Sequence, residues 1–306
     1  MSHASQAKAE YRAAGTDLSE RRRSGVSRGP IIDIAPTRVS NGVQAEPGGG
    51  LRIGALTTIA KLAADKSVQM GYPGLAAAAD GLATPQVRRA ATIGGNIAQR
   101  NRCWYFRHPA IACLKKGGDS CPARVGNHLY AVAFDMGPCV APHPSTLAAA
   151  LLLYDARLDT DRRQSVSIAE ALGDGRSVFA ETALEPGELI TSVVLPPPVA
   201  GERGAYKRAI GREHAEWPLV ELVVSATFEG GAFARIRLVA GGVAPVPLRL
   251  KAAEAAGQGK RASAEAIAAV AAVSAEGASP LPGSRYKLAL LQGLVRDLLE
   301  TVTAPS

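Results

Sequence analysis

Cysteine is scarce in this chain, with four in 306 residues, and aromatic residues make up only 5%. The low aromatic content argues against a base-stacking platform for nucleic acid. No stretch approaches the roughly 18 consecutive apolar residues of a membrane helix. The opening "MSHASQAKAEYRAAGTDLSERRRSG" lacks the apolar core of a secretory signal. The sequence therefore predicts no membrane span and a cytoplasmic location, with a periplasmic one reached only by co-export on a signal-bearing partner. There is no Ser-His-Asp order, no H-E-x-x-H and no paired-carboxylate signature, so acid–base or nucleophilic chemistry is not visible. Acids are locally sparse too: from Gln86 to Arg124 eight Lys or Arg stand against a single acid, Asp119. That excess fits an anionic ligand, an acidic partner or nucleic acid, or a solvated loop.

Hydrophobic and charged residues, at 47% and 20%, have ordinary globular proportions, and 306 residues allow two domains or one large one. "PIIDI" and "LRIGAL" read as short strands. "TTIAKLAADKSVQMGYPGLAAAADGLA" places apolar residues at helical spacing. "HPSTLAAALLLYDARLDT" reads as a helix capped by Ser145 or Thr146, then a strand from about Ala156. After "LITSVVLPPP", where three prolines end a strand and mark a boundary, the texture changes. "GAYKRAIGR", "PLVELVVSATFEG" and "FARIRLVAGGVAP" predict antiparallel strands with a hairpin turn in "EGGAF". Two Ala-rich helices, roughly 262–272 and 284–302, close the chain.

The four cysteines, Cys103, Cys113, Cys121 and Cys139, are separated by nine, seven and seventeen residues within an aperiodic segment of about forty residues. A loop of that length in a compact domain is functional or disordered. Three arrangements are open. Two disulfides are possible, although a large chain without an export signal has little need of them. Structural zinc favours close C-x2-C pairs, and none is present. An iron–sulfur cluster tolerates thiolates from well-separated points, and Arg102, Arg107, Lys115 and Lys116 would suit its negative charge. His108 could serve as a spare ligand, whereas His143, next to a proline and a helix start, reads as a turn or packing residue.

Two glycine stretches, "AAGTDLSE" around Gly15 and "TIGGN" from Thr92 to Asn96, combine small residues with hydroxyl or amide side chains. That design lets backbone N–H groups approach a diphosphate, and it also serves plain tight turns. Neither stretch matches G-x-G-x-x-G or the P-loop.

Taken in order, "AGTDL", "LRIGAL", "ATIGGNIAQRNRCWYFR", "ETALEPGELI…VVLPPP", "YKRAIGR" and "VAGGVAPVPLR" resemble the flavin subunit of the xanthine-oxidase-type molybdenum hydroxylases from about Tyr11 onward. The cysteine insertion is similar to that of the periplasmic-type aldehyde oxidoreductase branch. The resemblance implies an α+β chain: a two-part FAD-binding domain of the vanillyl-alcohol-oxidase/PCMH type over 1–198, with a [4Fe–4S]-binding insertion at about 100–140, then a smaller α+β domain over 199–306. It implies FAD held by Ala14, Gly15, Thr16, Asp17 and Leu18 in the first loop and by Thr92, Gly95 and Asn96 in the second. Thr84, Gln99 and Ser145 would lie near the cofactor, with Arg208 at the flavin's pyrimidine side. Cys103, Cys113, Cys121 and Cys139 would hold the cluster. It further implies a molybdenum-cofactor large subunit, a small subunit with [2Fe–2S] clusters and an external electron acceptor such as a ferredoxin. Two departures stand out: one glycine where the first loop usually has an adjacent pair, and Thr146 where an acid is expected near the adenosine. The rival expectation is a zinc-stabilised basic protein that binds nucleic acid.

Overall fold

The computed structural model describes residues 9–34, 39–211 and 217–304. The chain begins with strand β1 (Glu10–Arg12), helix α1 (Leu18–Arg23) and strand β2 (Ile31–Asp33), the two strands forming a small parallel pair. Next come β3 (Val43–Ala45) and β4 (Leu51–Gly54), then five short helices: α2 (Ile59–Ala64), α3 (Lys66–Gly71), α4 (Pro73–Gly81), α5 (Pro85–Ala90) and α6 (Ile93–Ile97). The helical periodicity expected around residues 57–83 is thus divided into α2, α3 and α4. Asp65 splits the first two: its extended backbone stops α2, and its carboxylate caps α3 by accepting from the Ser67 and Val68 N–H groups.

The cysteine segment carries the four-residue helix α7 (Trp104–Arg107) and two single 3₁₀ turns, Leu114–Lys116 and Pro122–Arg124. Helix α8 (Thr146–Leu153), β5 (Arg157–Thr160), β6 (Val166–Ser167), α9 (Ile168–Leu172) and β7 (Ile190–Leu195) follow. The strands of this half form a five-stranded antiparallel sheet in the order β3-β4-β7-β5-β6. Helix α8 is apolar all round and lies at the centre of the first core, with Leu147, Leu151 and Leu153 fully buried.

Beyond the three prolines, β8 (Arg203–Ala209), β9 (Val220–Glu229), β10 (Ala232–Gly241) and β11 (Leu248–Arg249) build a four-stranded antiparallel sheet. The expected hairpin turn falls at Gly230 and Gly231, both with positive φ. Helices α10 (Lys251–Gly257), α11 (Ala264–Val273) and α12 (Tyr286–Thr303) cover one face and enclose a second core. The C-terminal part has three helices rather than the two expected, because α10 is short and lacks a side-chain N-cap to mark it. The α+β class expected from the sequence holds. No helix among the described residues is long and apolar enough to cross a membrane.

Candidate functional site

The first small-residue loop turns at Gly15, whose φ of +74° suits glycine, and runs into α1. Within the described residues the backbone N–H groups of Thr16 and Asp17 find no acceptor. The second loop is itself the short helix α6. Thr92 caps it by accepting from the Gly95 N–H at 3.2 Å. Gly94 presses on the end of β4: its N–H donates to the Ala55 carbonyl at 3.0 Å, and a Cβ there would lie 2.9 Å from the Ala55 Cβ. Gly94→Ala should therefore cost about 1–3 kcal/mol by overpacking and push Gly95 and Asn96 outward. A fall in the thermal midpoint together with weakened flavin retention would check this.

A string of hydrogen bonds joins the second loop to its surroundings. The Asn96 Oδ1 accepts from the Ser145 hydroxyl at 2.7 Å and from the Leu147 N–H at 3.3 Å. Ser145 is the N-cap of α8, accepting from the Ala148 N–H at 3.0 Å. The Gln99 amide donates to the Asn96 carbonyl at 2.9 Å and accepts from Arg102 at 2.9 Å. One residue further on, the Arg100 N–H donates to the Asp17 carboxylate at 3.2 Å, which brings the two loops together. Thr84 stands apart from this string as the N-cap of α5, the element before the one that carries Asn96.

Asp17 does more than sit in a loop. Its carboxylate lies 2.7 Å from Arg102, 2.9 Å from Arg107 and 3.0 Å from Arg21. Burial alone would raise its pKa, but these three guanidiniums outweigh burial and hold it below the usual carboxylate range.

Arg208 lies on β8 directly opposite Glu221 on β9. Glu221 is 1% exposed and accepts from the Thr146 hydroxyl at 2.7 Å and the Tyr206 hydroxyl at 2.8 Å. Burial raises its pKa. The sequence reading missed Glu221. It delivers a carboxyl group to the position where Thr146 replaces an expected acid, from 75 residues away. His143 is buried as a packing residue, its Nδ1 accepting from the Ser145 N–H at 3.2 Å. Burial lowers its pKa to about 4, so it is neutral at pH 7.

All four cysteines are free thiols, and none is joined in a disulfide. Cys103 precedes α7, Cys113 and Cys121 precede the two 3₁₀ turns, and Cys139 is buried in the loop that leads to α8. Burial raises the Cys103 pKa, and the charges of Cys121 and Cys113 add to that shift. Cys121 and Cys139 share a hydrogen bond. As its acceptor, Cys121 is pulled down to about 5, helped by the backbone at Val140, Ala123 and Arg124, while Cys139 is pushed up. Among the described residues, no three His, Cys, Asp or Glu side chains are grouped tightly enough for a single metal ion. A zinc ion demands such a group, whereas a four-iron cube separates its thiolates more widely. Lys115 lies close enough to influence Cys139, and Arg124 is influenced by Cys121 and Cys139. Free thiols, backbone donors aimed at sulfur and adjacent cations fit a cluster.

The positive charge of this segment is largely neutralised inside the fold. Arg102 and Arg107 pair with Asp17 and Glu20, Arg100 and Lys115 with Glu181, Arg124 with Asp135, and Arg88 with Asp80. Lys116 donates to the Tyr105 and His108 carbonyls at 3.0 and 2.6 Å. The run of cations is internal bracing rather than a surface for polyanions.

Residues 2–198 match the family described as the FAD binding domain in molybdopterin dehydrogenase, and 204–302 match the CO dehydrogenase flavoprotein C-terminal domain. The chain is 34% identical to the aldehyde oxidoreductase FAD-binding subunit PaoB of Escherichia coli (strain K12), over 97% of this chain and 92% of that protein. It is 28% identical to the carbon monoxide dehydrogenase medium chain of Hydrogenophaga pseudoflava, over 90% of this chain and 82% of that one. The solved carbon monoxide dehydrogenase of that organism, in a form lacking the Mo-pyranopterin moiety, superposes with a TM-score of 0.71 at 26% identity, covering 96% of this chain and 89% of its own.

Proposed function

Because the chain belongs to the FAD-binding subunits of the molybdopterin dehydrogenases, we propose that it is the electron-transfer subunit of a molybdenum-dependent aldehyde or N-heterocycle oxidoreductase, holding FAD and one [4Fe–4S] cluster. Family membership overturns the reading as a zinc-stabilised nucleic-acid-binding protein. The observation that carries the proposal is the Asp17–Arg100 contact, which sets the two small-residue loops side by side. The likeness to an aldehyde oxidoreductase subunit favours the aldehyde branch.

In this reading the exposed loop at Ala14, Gly15 and Thr16, with Asp17 and Leu18 anchoring it, offers its free N–H groups to the diphosphate. Thr92, Gly95 and Asn96 approach from the other side. Thr84, Gln99 and Ser145 lie near the cofactor, and the Ser145 hydroxyl holds the Asn96 amide through its Oδ1. Arg208 supplies positive charge at the flavin's pyrimidine side, where reduction leaves negative charge. FAD, when bound, supplies a junction between one-electron and two-electron chemistry. Cys103, Cys113, Cys121 and Cys139 hold the cluster, whose role is to order a segment with little regular structure of its own. The partners are a molybdenum-cofactor large subunit, a [2Fe–2S] small subunit and an external acceptor such as a ferredoxin.

Flavin and iron counts on the purified complex test the assignment, alone and with Cys113→Ser. The expected result is one FAD per chain in both, with about four irons per chain lost in the variant while flavin reduction and turnover persist. A colourless, zinc-containing chain would overturn the redox assignment, and a flavin-loaded variant without turnover would overturn the ordering role.

A further inference from the structure

A cavity of about 510 Å³ opens between the cysteine segment and the C-terminal sheet. None of the residues assigned to FAD lines it, although Arg102 and Cys103 do, and Arg102 pairs with Asp17 of the first loop. Its walls are aromatic. Trp104 stacks on Tyr130 with ring centroids 5.7 Å apart and planes 22° apart. Trp217 carries the Arg102 guanidinium 4.1 Å from its ring centroid. These are the only two tryptophans of the chain.

Lys287, on the first turn of α12, also lines the cavity and is 1% exposed. Its Nζ donates to the Gly242 carbonyl at 2.8 Å and to the Tyr130 carbonyl at 3.4 Å, and no carboxylate among the described residues pairs with it. Arg102 differs, since Asp17 and Glu20 answer its charge. No Asp or Glu lines the cavity among the described residues, while Arg102, His108, His143 and Lys287 do. Among the described residues this buried ammonium is held only by carbonyl dipoles, without the counter-charge that burial normally requires. A neutral aromatic molecule would leave it so, and a small inorganic anion would leave the apolar walls wet. The volume lies within the range of ordinary small-molecule pockets.

We propose that this cavity binds a planar aromatic carboxylate, with its ring against the tryptophan walls and its carboxylate on the Lys287 ammonium. This does not depend on the FAD assignment. It is tested on the full chain, as purified, by calorimetric titration with benzoate, benzamide and acetate while tryptophan fluorescence is followed. Benzoate should saturate with a fluorescence change and bind at least about tenfold more tightly than benzamide or acetate. Lys287→Met should remove that margin. Trp104→Ala, at a residue 64% exposed, should weaken benzoate about tenfold by taking away one wall and keeps the test decisive if the lysine variant does not fold. Equal affinity for benzoate and benzamide, unchanged binding in Trp104→Ala, or release of FAD in step with benzoate uptake would each overturn the proposal.

Discussion

Glu181→Ala should lower the stability of the folded chain by about 3–5 kcal/mol, the cost of removing one partner from a buried ionic group. The Glu181 side chain is 4% exposed, and it joins parts of the chain that are remote in sequence. Its Oε1 accepts from the Asn101 amide at 2.6 Å and lies 3.5 Å from the Lys115 Nζ, while its Oε2 takes the Arg100 guanidinium. Burial pushes its pKa up, but Arg100 and Lys115 outweigh burial, and the net displacement is downward. Among the described residues, removal leaves Lys115, 7% exposed, with the Ala180 and Ser177 carbonyls, and Arg100 with the Phe179 carbonyl. Glu181→Gln keeps the contact with Asn101 and should recover only part of the loss. The next backbone contact along is Arg100 N–H to Asp17, so flavin retention should fall with stability. Urea unfolding of the two variants measures the cost, and a change below about 1 kcal/mol would mean that water already reaches these cations.

Features written in neighbouring residues were legible. The cap at Ser145, the turn at Gly230 and Gly231, the strands between 203 and 241 and the α+β class all rest on local spacing and turn chemistry. The helix at Ile93–Ile97 was not legible, because two of its five residues are glycine and it is held by the Gly94 contact with Ala55 rather than by propensity. The cation-rich segment looked solvent-facing or ligand-facing for a related reason: its acidic partners Asp17, Glu20 and Glu181 lie about eighty residues away in sequence and meet it only in the folded chain. Thr146 read as a missing acid for the same cause, since the compensating carboxyl comes from Glu221. Lys287 drew no notice, because a lysine on an amphipathic helix is ordinarily solvated, and only the packing of α12 against Gly242 and Tyr130 buries it.

That burial has a consequence for stability against pH. Desolvation pushes the Lys287 amine down to about 7, while the unfolded chain keeps its proton to an ordinary value near 10.4. Between those limits the unfolded state binds more protons than the folded one, so stability rises with pH. From pH 7 to pH 10 this single group should add about 3–4 kcal/mol. Thiols and tyrosines titrate over the same range, so the informative quantity is the difference between the native chain and Lys287→Met, in which those other groups cancel. The difference should move by about 3 kcal/mol in favour of the native chain as the pH is raised. At pH 7 the variant should be no less stable, because losing an ion without a counter-charge offsets the two carbonyls left without a donor. Saturating benzoate supplies the missing negative charge, draws the folded-state pKa back toward its ordinary value and should flatten the rise in the native chain alone. A rise that persists undiminished under saturating benzoate would place the bound carboxylate away from Lys287, whereas a flat difference with no ligand present would mean that the amine is hydrated in solution.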